Sequence, residues 1–360
     1  MNANRRTFVS GTAATLLSGA WTSSLAQSPN WAGSAADTEA LNKLYDAAVS
    51  AGEKEVVIYG AYFGIFRPIW DQFQARFPKI SIIGSPLSGA QLATKLDAEY
   101  SSGQHSADIV TSGFTELMGT VSANRGLPYV PPNIANIPRR YHDAQGRFVV
   151  NYAEIFGVVY NTDKLKAAEL PRTPADLLAP KYKGLIIDEP NSARATDLVW
   201  NELYNSGKID GAWIRAMKAQ ANSVPSWVPM LNQLTTGTIT MIPWVGHARF
   251  LGLKQAGAPV GFQALPGMAT PSYAGTVILS KAPHPAAARL FQAWFITPEA
   301  QNAIITKGNS YALAPAVALP DNKADWPALA PIAEALKPLS GEEYMAALGN
   351  LRKAVDANFK

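Results

Sequence analysis

Apolar residues along this 360-residue chain recur at two spacings, and the switches between them mark out helices and strands. Thr38 to Ala51 predicts a helix, with Leu41, Leu44, Tyr45 and Val49 on one face. Glu55-Val56-Val57-Ile58-Tyr59 predicts a strand, followed by a turn from Gly60 to Gly64. Phe66, Ile69, Trp70, Phe73 and Phe77 then fall at helical spacing, and Pro78 ends that helix. Ile80-Ser81-Ile82-Ile83 is a second strand. Ser88 is placed to cap the next helix, with Gln91 as its capping-box partner. Ala107-Asp108-Ile109-Val110 is the third strand. The order βαβαβ predicts a parallel sheet covered by helices.

The pattern breaks at Pro128-Tyr129-Val130-Pro131-Pro132. Two extended segments follow, Phe148 to Ala153 and Phe156 to Tyr160, and then a rigid turn at Pro171-Arg172-Thr173-Pro174. Gly184-Leu185-Ile186-Ile187-Asp188 is a strand that opens a second α/β unit. Asn191 and Ser192 can cap a helix whose Leu198, Val199 and Leu203 face inward. Ile239 to Ile242 is a further strand, and Gly275 to Leu279 returns in extended form. Helices are expected over Pro285 to Phe295, over Pro298 to Thr306 and from Gly341 onward.

Composition narrows the function classes. With 48% hydrophobic residues the chain can bury two cores. The net charge is +4. The bias is too weak, and too thinly spread, for a nucleic-acid partner. There is no cysteine. Disulfides, thiolate metal sites and a lipidated cysteine anchor are therefore excluded.

Asn4-Arg5-Arg6-Thr7-Phe8-Val9, a mild apolar stretch to Trp21, and Ser24-Leu25-Ala26 resemble a twin-arginine export signal with its cleavage site. Residues 1–26 are thus expected to be removed, leaving a protein free in a periplasm. No later stretch approaches the roughly 20 apolar residues that span a bilayer. The four histidines form no metal motif, and Gly308-Asn309-Ser310-Tyr311-Ala312 lacks the last glycine of a nucleophile elbow. No enzyme, cofactor or resident metal is expected.

Four stretches, in order, carry a resemblance: Val56 to Tyr59 with Phe77-Pro78; Glu99 through Asp108-Ile109-Val110; Gly157-Val158-Val159-Tyr160-Asn161-Thr162-Asp163 before Thr173 to Leu178; and Ala274-Gly275 before Lys281 to Phe291. The chain resembles bacterial extracellular solute-binding proteins of the ferric-iron-binding-like branch, which are type 2 periplasmic binding proteins. The resemblance implies two α/β lobes, each a mainly parallel sheet flanked by helices, joined by two hinge strands. Residues 27–150 plus 276–360 would form the first lobe and 151–275 the second. It also implies closure on a small-molecule ligand and transient docking on an ABC permease of the inner membrane, with presentation to a sensory receptor as an alternative role; the sequence gives no reason to expect more than a monomer.

Iron-binding members hold Fe(III) with a histidine or carboxylate of the first lobe and a tyrosine pair of the second. Here the matching positions are Phe63, Ser112-Gly113 and Pro243-Trp244-Val245-Gly246-His247. Charge and phenolates are lost together, so a small organic anion of carboxylate or phosphonate type is the expected ligand. Ferric iron, held through Tyr62 or His247, is the alternative. Ser192-Ala193-Arg194 would clamp the anion. Ser88, Gly89 and Ser112 would add donors, and Tyr62, Phe63, Trp244 and Tyr273 would flank the cleft.

Overall fold

In a computed structural model, residues 30–190, 195–224, 227–320, 325–334 and 341–359 are described. The first α/β unit comprises α1 (Ala35–Ser50), β1 (Glu55–Tyr59), α2 (Arg67–Arg76), β2 (Ser81–Ser85), α3 (Gly89–Ser102), β3 (Ile109–Gly113) and α4 (Phe114–Ser122). Then come β4 (Val149–Asn161), β5 (Leu185–Asp188), α5 (Ala195–Asn205), α6 (Gly211–Gln220), β6 (Ala221–Val224), α7 (Trp227–Thr235), β7 (Met241–Gly246), α8 (His247–Gln255) and β8 (Val260–Gln263). The chain closes with β9 (Thr270–Ile278), α9 (Pro285–Phe295), α10 (Pro298–Thr306), β10 (Tyr311–Ala312), α11 (Leu329–Glu334) and α12 (Gly341–Asn358).

The main sheet runs β10-β4-β9-β3-β1-β2. β1 lies parallel to β2 and β3, as the βαβαβ pattern predicts. β9 inserts antiparallel between β3 and β4. The two segments expected at 148–160 form one strand, β4. Its first half pairs with β9 and its second half with β7 and β8. The paired β4 and β9 therefore tie the first unit to the second. A two-stranded parallel sheet, β5-β6, belongs to the second unit. Register slips between Val150 and Tyr152. Gly275 is required beside this bulge, because a Cβ there would lie 2.1 Å from the Val149 carbonyl oxygen.

Local chemistry sets the ends. Ser34 caps α1 by accepting from the Asp37 amide, and Thr297 caps α10 by accepting from Ala300, with Pro298 at its first turn. Gly103 ends α3 in the left-handed conformation. The face of α2 predicted as apolar is buried: Phe66, Trp70, Phe73 and Phe77 pack with Phe291, Trp294 and Phe295 of α9. A second core gathers Trp200, Trp213 and Trp244 with Leu348 and Leu351 of α12. The last helix thus returns to α5 and α6.

Candidate functional site

Polar groups collect where β1 and β3 end. Gly60 allows the strand ends to touch, since a Cβ there would lie 2.2 Å from the Thr111 carbonyl oxygen. The chain then turns and sets Tyr62 against Phe66 and Tyr152, with ring centres 5.7 and 5.9 Å apart. Phe63 stacks on Trp70, and its carbonyl accepts from the indole nitrogen at 2.9 Å. At the end of β3, Thr111 and Ser112 are fully buried, and the Ser112 hydroxyl has no hydrogen-bond partner among the described residues. The Tyr152 hydroxyl is likewise buried, and the Thr111 side chain is the polar group that acts on it as a hydrogen-bond partner. Ser88 occupies the N-cap position of α3, but its side chain makes no capping bond, contrary to the capping box expected with Gln91. Glu116 of α4 takes over, accepting from the Gly89 amide at 3.2 Å.

Glu154 lies beside this cluster, in the middle of β4. It accepts from the Ala248 amide at 2.9 Å and from the Ser310 hydroxyl. Burial nevertheless pushes its carboxyl up to about 7. Burial, with the nearby Glu154 charge, raises the Tyr62 phenol well above its ordinary value, and Arg249 offsets this only in part.

Next to the hinge strands lies a cavity of about 1070 Å³. Its walls come from both units: Phe114 at the start of α4, Arg140 and Tyr141, the β9 segment Pro271-Ser272-Tyr273, Leu198 and Glu202 on α5, Ala312 to Pro315, α11, and Tyr344 on α12. Most of this surface is apolar. The Tyr141 and Tyr273 rings stand 5.5 Å apart, and the Arg140 guanidinium sits 4.6 Å over Tyr141. Burial alone pushes Glu202 up to about 7. The Tyr344 hydroxyl bonds the Thr115 hydroxyl at 2.9 Å, and its ring meets Phe114 edge-on at 5.2 Å.

The sequence-predicted residues thus separate. Tyr62, Gly89 and Ser112 share the strand-end cluster, with Ser88 beside it, and Tyr273 lines the cavity. Phe63 serves the first core. Trp244 is 2% exposed and packs against Trp200 and Trp213, because every residue of β7 is buried. His247 is 0% exposed; its ring nitrogens face the carbonyls of Asn309 and Asp325 amid Phe250, Phe262, Tyr311 and Trp326. Neither Trp244 nor His247 faces the cavity. Ser192, Ala193 and Arg194, and the leader at residues 1–26, lie outside the described residues. Glu154 and Glu202 were missed. Glu154 had a signal, as a charge inside an apolar strand, whereas Glu202 reads as an ordinary exposed helix acid. Among the described residues no group of three or more His, Asp or Glu side chains is placed to hold a metal ion.

Two antiparallel strands thus join the units, the strand ends carry buried hydroxyls, and a walled cavity lies beside them. Residues 59–302 match the family model "Bacterial extracellular solute-binding protein", and the chain belongs to that family. It is 25% identical over 320 residues to the Fe(3+)-binding periplasmic protein of Serratia marcescens, covering 87% of this chain and 91% of that one. Among solved structures it resembles iron-bound HitA from Pseudomonas aeruginosa, with a TM-score of 0.67 at 18% identity over 82% of this chain and 99% of that one. It resembles equally AfuA from Actinobacillus pleuropneumoniae with fructose-6-phosphate bound, with a TM-score of 0.67 at 18% identity over 84% and 97%. At such identity the two structures share the two-lobed α/β fold with this chain, which does not choose between a metal and a sugar phosphate. No described helix is long and apolar enough to cross a membrane.

Proposed function

We propose that the chain is the periplasmic binding component of an ABC importer and that it encloses a small organic solute in the cavity beside β4 and β9. The leader at residues 1–26 delivers it, and an inner-membrane permease receives its closed form. The first lobe comprises 27–150 with 276–360, the second 151–275, and α12 crosses back onto the second. Rotation about β4 and β9 closes the walls on the solute. The observation that carries the reading is the cavity itself: about 1070 Å³, walled from both units and largely apolar. That is far more room than a bare metal ion needs, and it suits an organic body. Arg140 in its wall has no carboxylate partner among the described residues and provides a bidentate anchor for a carboxylate or phosphonate.

Ferric ion is the second reading, and the relatives favour it over the organic anion: the Serratia marcescens protein is named for Fe(3+). Tyr62, Tyr152, Glu116 and Glu154 are hard oxygen donors near one another at the strand ends. Titrating the mature protein with ferric citrate and, separately, with carboxylates and phosphonates decides between them. Heat from an organic acid, without visible phenolate-to-iron absorption, supports the first reading. Stoichiometric iron with that absorption, lost in Tyr62→Phe, replaces it by the second.

A further inference from the structure

Glu202 stands in the cavity wall one turn beyond Leu198 on α5. Its carboxylate has neither a hydrogen-bond donor nor a cationic partner among the described residues, and burial alone acts on it. An acid held in a largely apolar cavity wall without a partner is costly, and an apolar side chain there would pack at no such cost. Two aromatic side chains line the cavity with the acid. Tyr273 is on β9 and Tyr344 on α12, the strand and the helix that pack against α5, and both feel its charge. Both are held in place, Tyr273 by its ring contact with Tyr141 and Tyr344 by its bond to Thr115. The other charged groups that reach these rings are Arg140, beside Tyr273, and Glu116, beside Tyr344. An acid sharing a cavity wall with aromatic rings is an arrangement that stabilises an organic ammonium: the carboxylate pairs with the charge and the ring faces attract it.

We propose that the solute of this cavity is a zwitterion, its ammonium group held by Glu202 between Tyr273 and Tyr344 and its acidic end by Arg140. The inference rests on the reading of the cavity as the solute site, and it narrows the ligand from organic acids in general to amino-acid-like molecules. Arg140 and Glu202 then have complementary tasks, and the wall's two unpaired charges are neutralised together.

The test is titration calorimetry on the mature protein with matched probes on alanine, leucine and phenylalanine skeletons: the amino acid, its deaminated acid and its decarboxylated amine. In at least one set the amino acid should bind roughly tenfold more tightly than its deaminated acid. Glu202→Gln should erase that preference by weakening the amino acid and not the deaminated acid. Deaminated acids that bind as well as their amino acids in every set would overturn the ammonium site. So would a preference that survives Glu202→Gln, or no heat from any amine-bearing probe at millimolar concentration. Ala333→Trp, which fills the cavity from α11, separates the two levels. If acids bind and this variant abolishes their binding, the cavity reading stands and only the ammonium falls. If binding ignores Ala333→Trp, the cavity reading itself fails.

Discussion

Glu154 and Glu202 carry the same raised carboxyl for the same cause, burial, but in different company. Glu154 is tied to the Ala248 amide and the Ser310 hydroxyl, whereas Glu202 has only the cavity. For Glu202 the native pKa, about 7, lies above the ordinary value of 4.5. Between these two pH values the folded protein holds a proton that the unfolded chain has lost, so stability falls as pH rises through the window. Glu202→Gln removes that loss. The variant should match wild type below the ordinary value and exceed it above the raised one, by up to about 3 kcal/mol. Urea denaturation across pH measures this, and a constant difference at all pH values would mean that Glu202 is not desolvated. The residue scale is also where the sequence was least informative. A lone acid on an amphipathic helix and a tryptophan on a strand buried on both faces leave no mark in periodicity. Glu202 was therefore missed, and Trp244 was placed at the cleft instead of in its core.

Among elements, the helices with local start signals were visible in the sequence, whereas α4, α6, α7 and α8 were not seen. α9 and α10 begin where Pro285 and Thr297-Pro298 mark them, since proline at a first turn and a threonine cap are local signals. The hinge strand β4 was seen as two pieces because Glu154 interrupts an apolar run; pairing with β9, β10, β7 and β8 keeps it in one strand. The short strands β6 and β8 were not seen, as their four residues give too little pattern. One buried side chain joins several elements. Gln301 of α10 donates to the Asn151 carbonyl at the β4 bulge and to Phe295, and accepts from the Leu313 and Ala314 amides. Gln301→Leu keeps the volume but strands these groups. It should cost about 3 kcal/mol or more, read from the denaturant midpoint. A loss below about 1 kcal/mol would show that water or repacking replaces the bonds. By contrast, Tyr344→Phe keeps the edge-on contact with Phe114 and should cost only about 1 kcal/mol.

At the scale of the whole molecule, the ordered set of weak sequence matches carried the fold, because each marked a strand end or a helix start on the same two-unit plan. The site was less visible, since it is assembled from segments more than 200 residues apart, Phe114 to Tyr344. The walls belong to both units and the floor to the strands that join them. Thermal unfolding of the mature protein, wild type beside Ala333→Trp, tests the cavity as the solute site most directly, with ferric citrate, carboxylates, phosphonates and amino acids as additives. Occupation of a native site raises the melting temperature by mass action. An organic acid or zwitterion should stabilise wild type and leave Ala333→Trp unmoved. Stabilisation by iron alone, or by an organic solute equally in both proteins, would contradict the assignment of the cavity as the solute site.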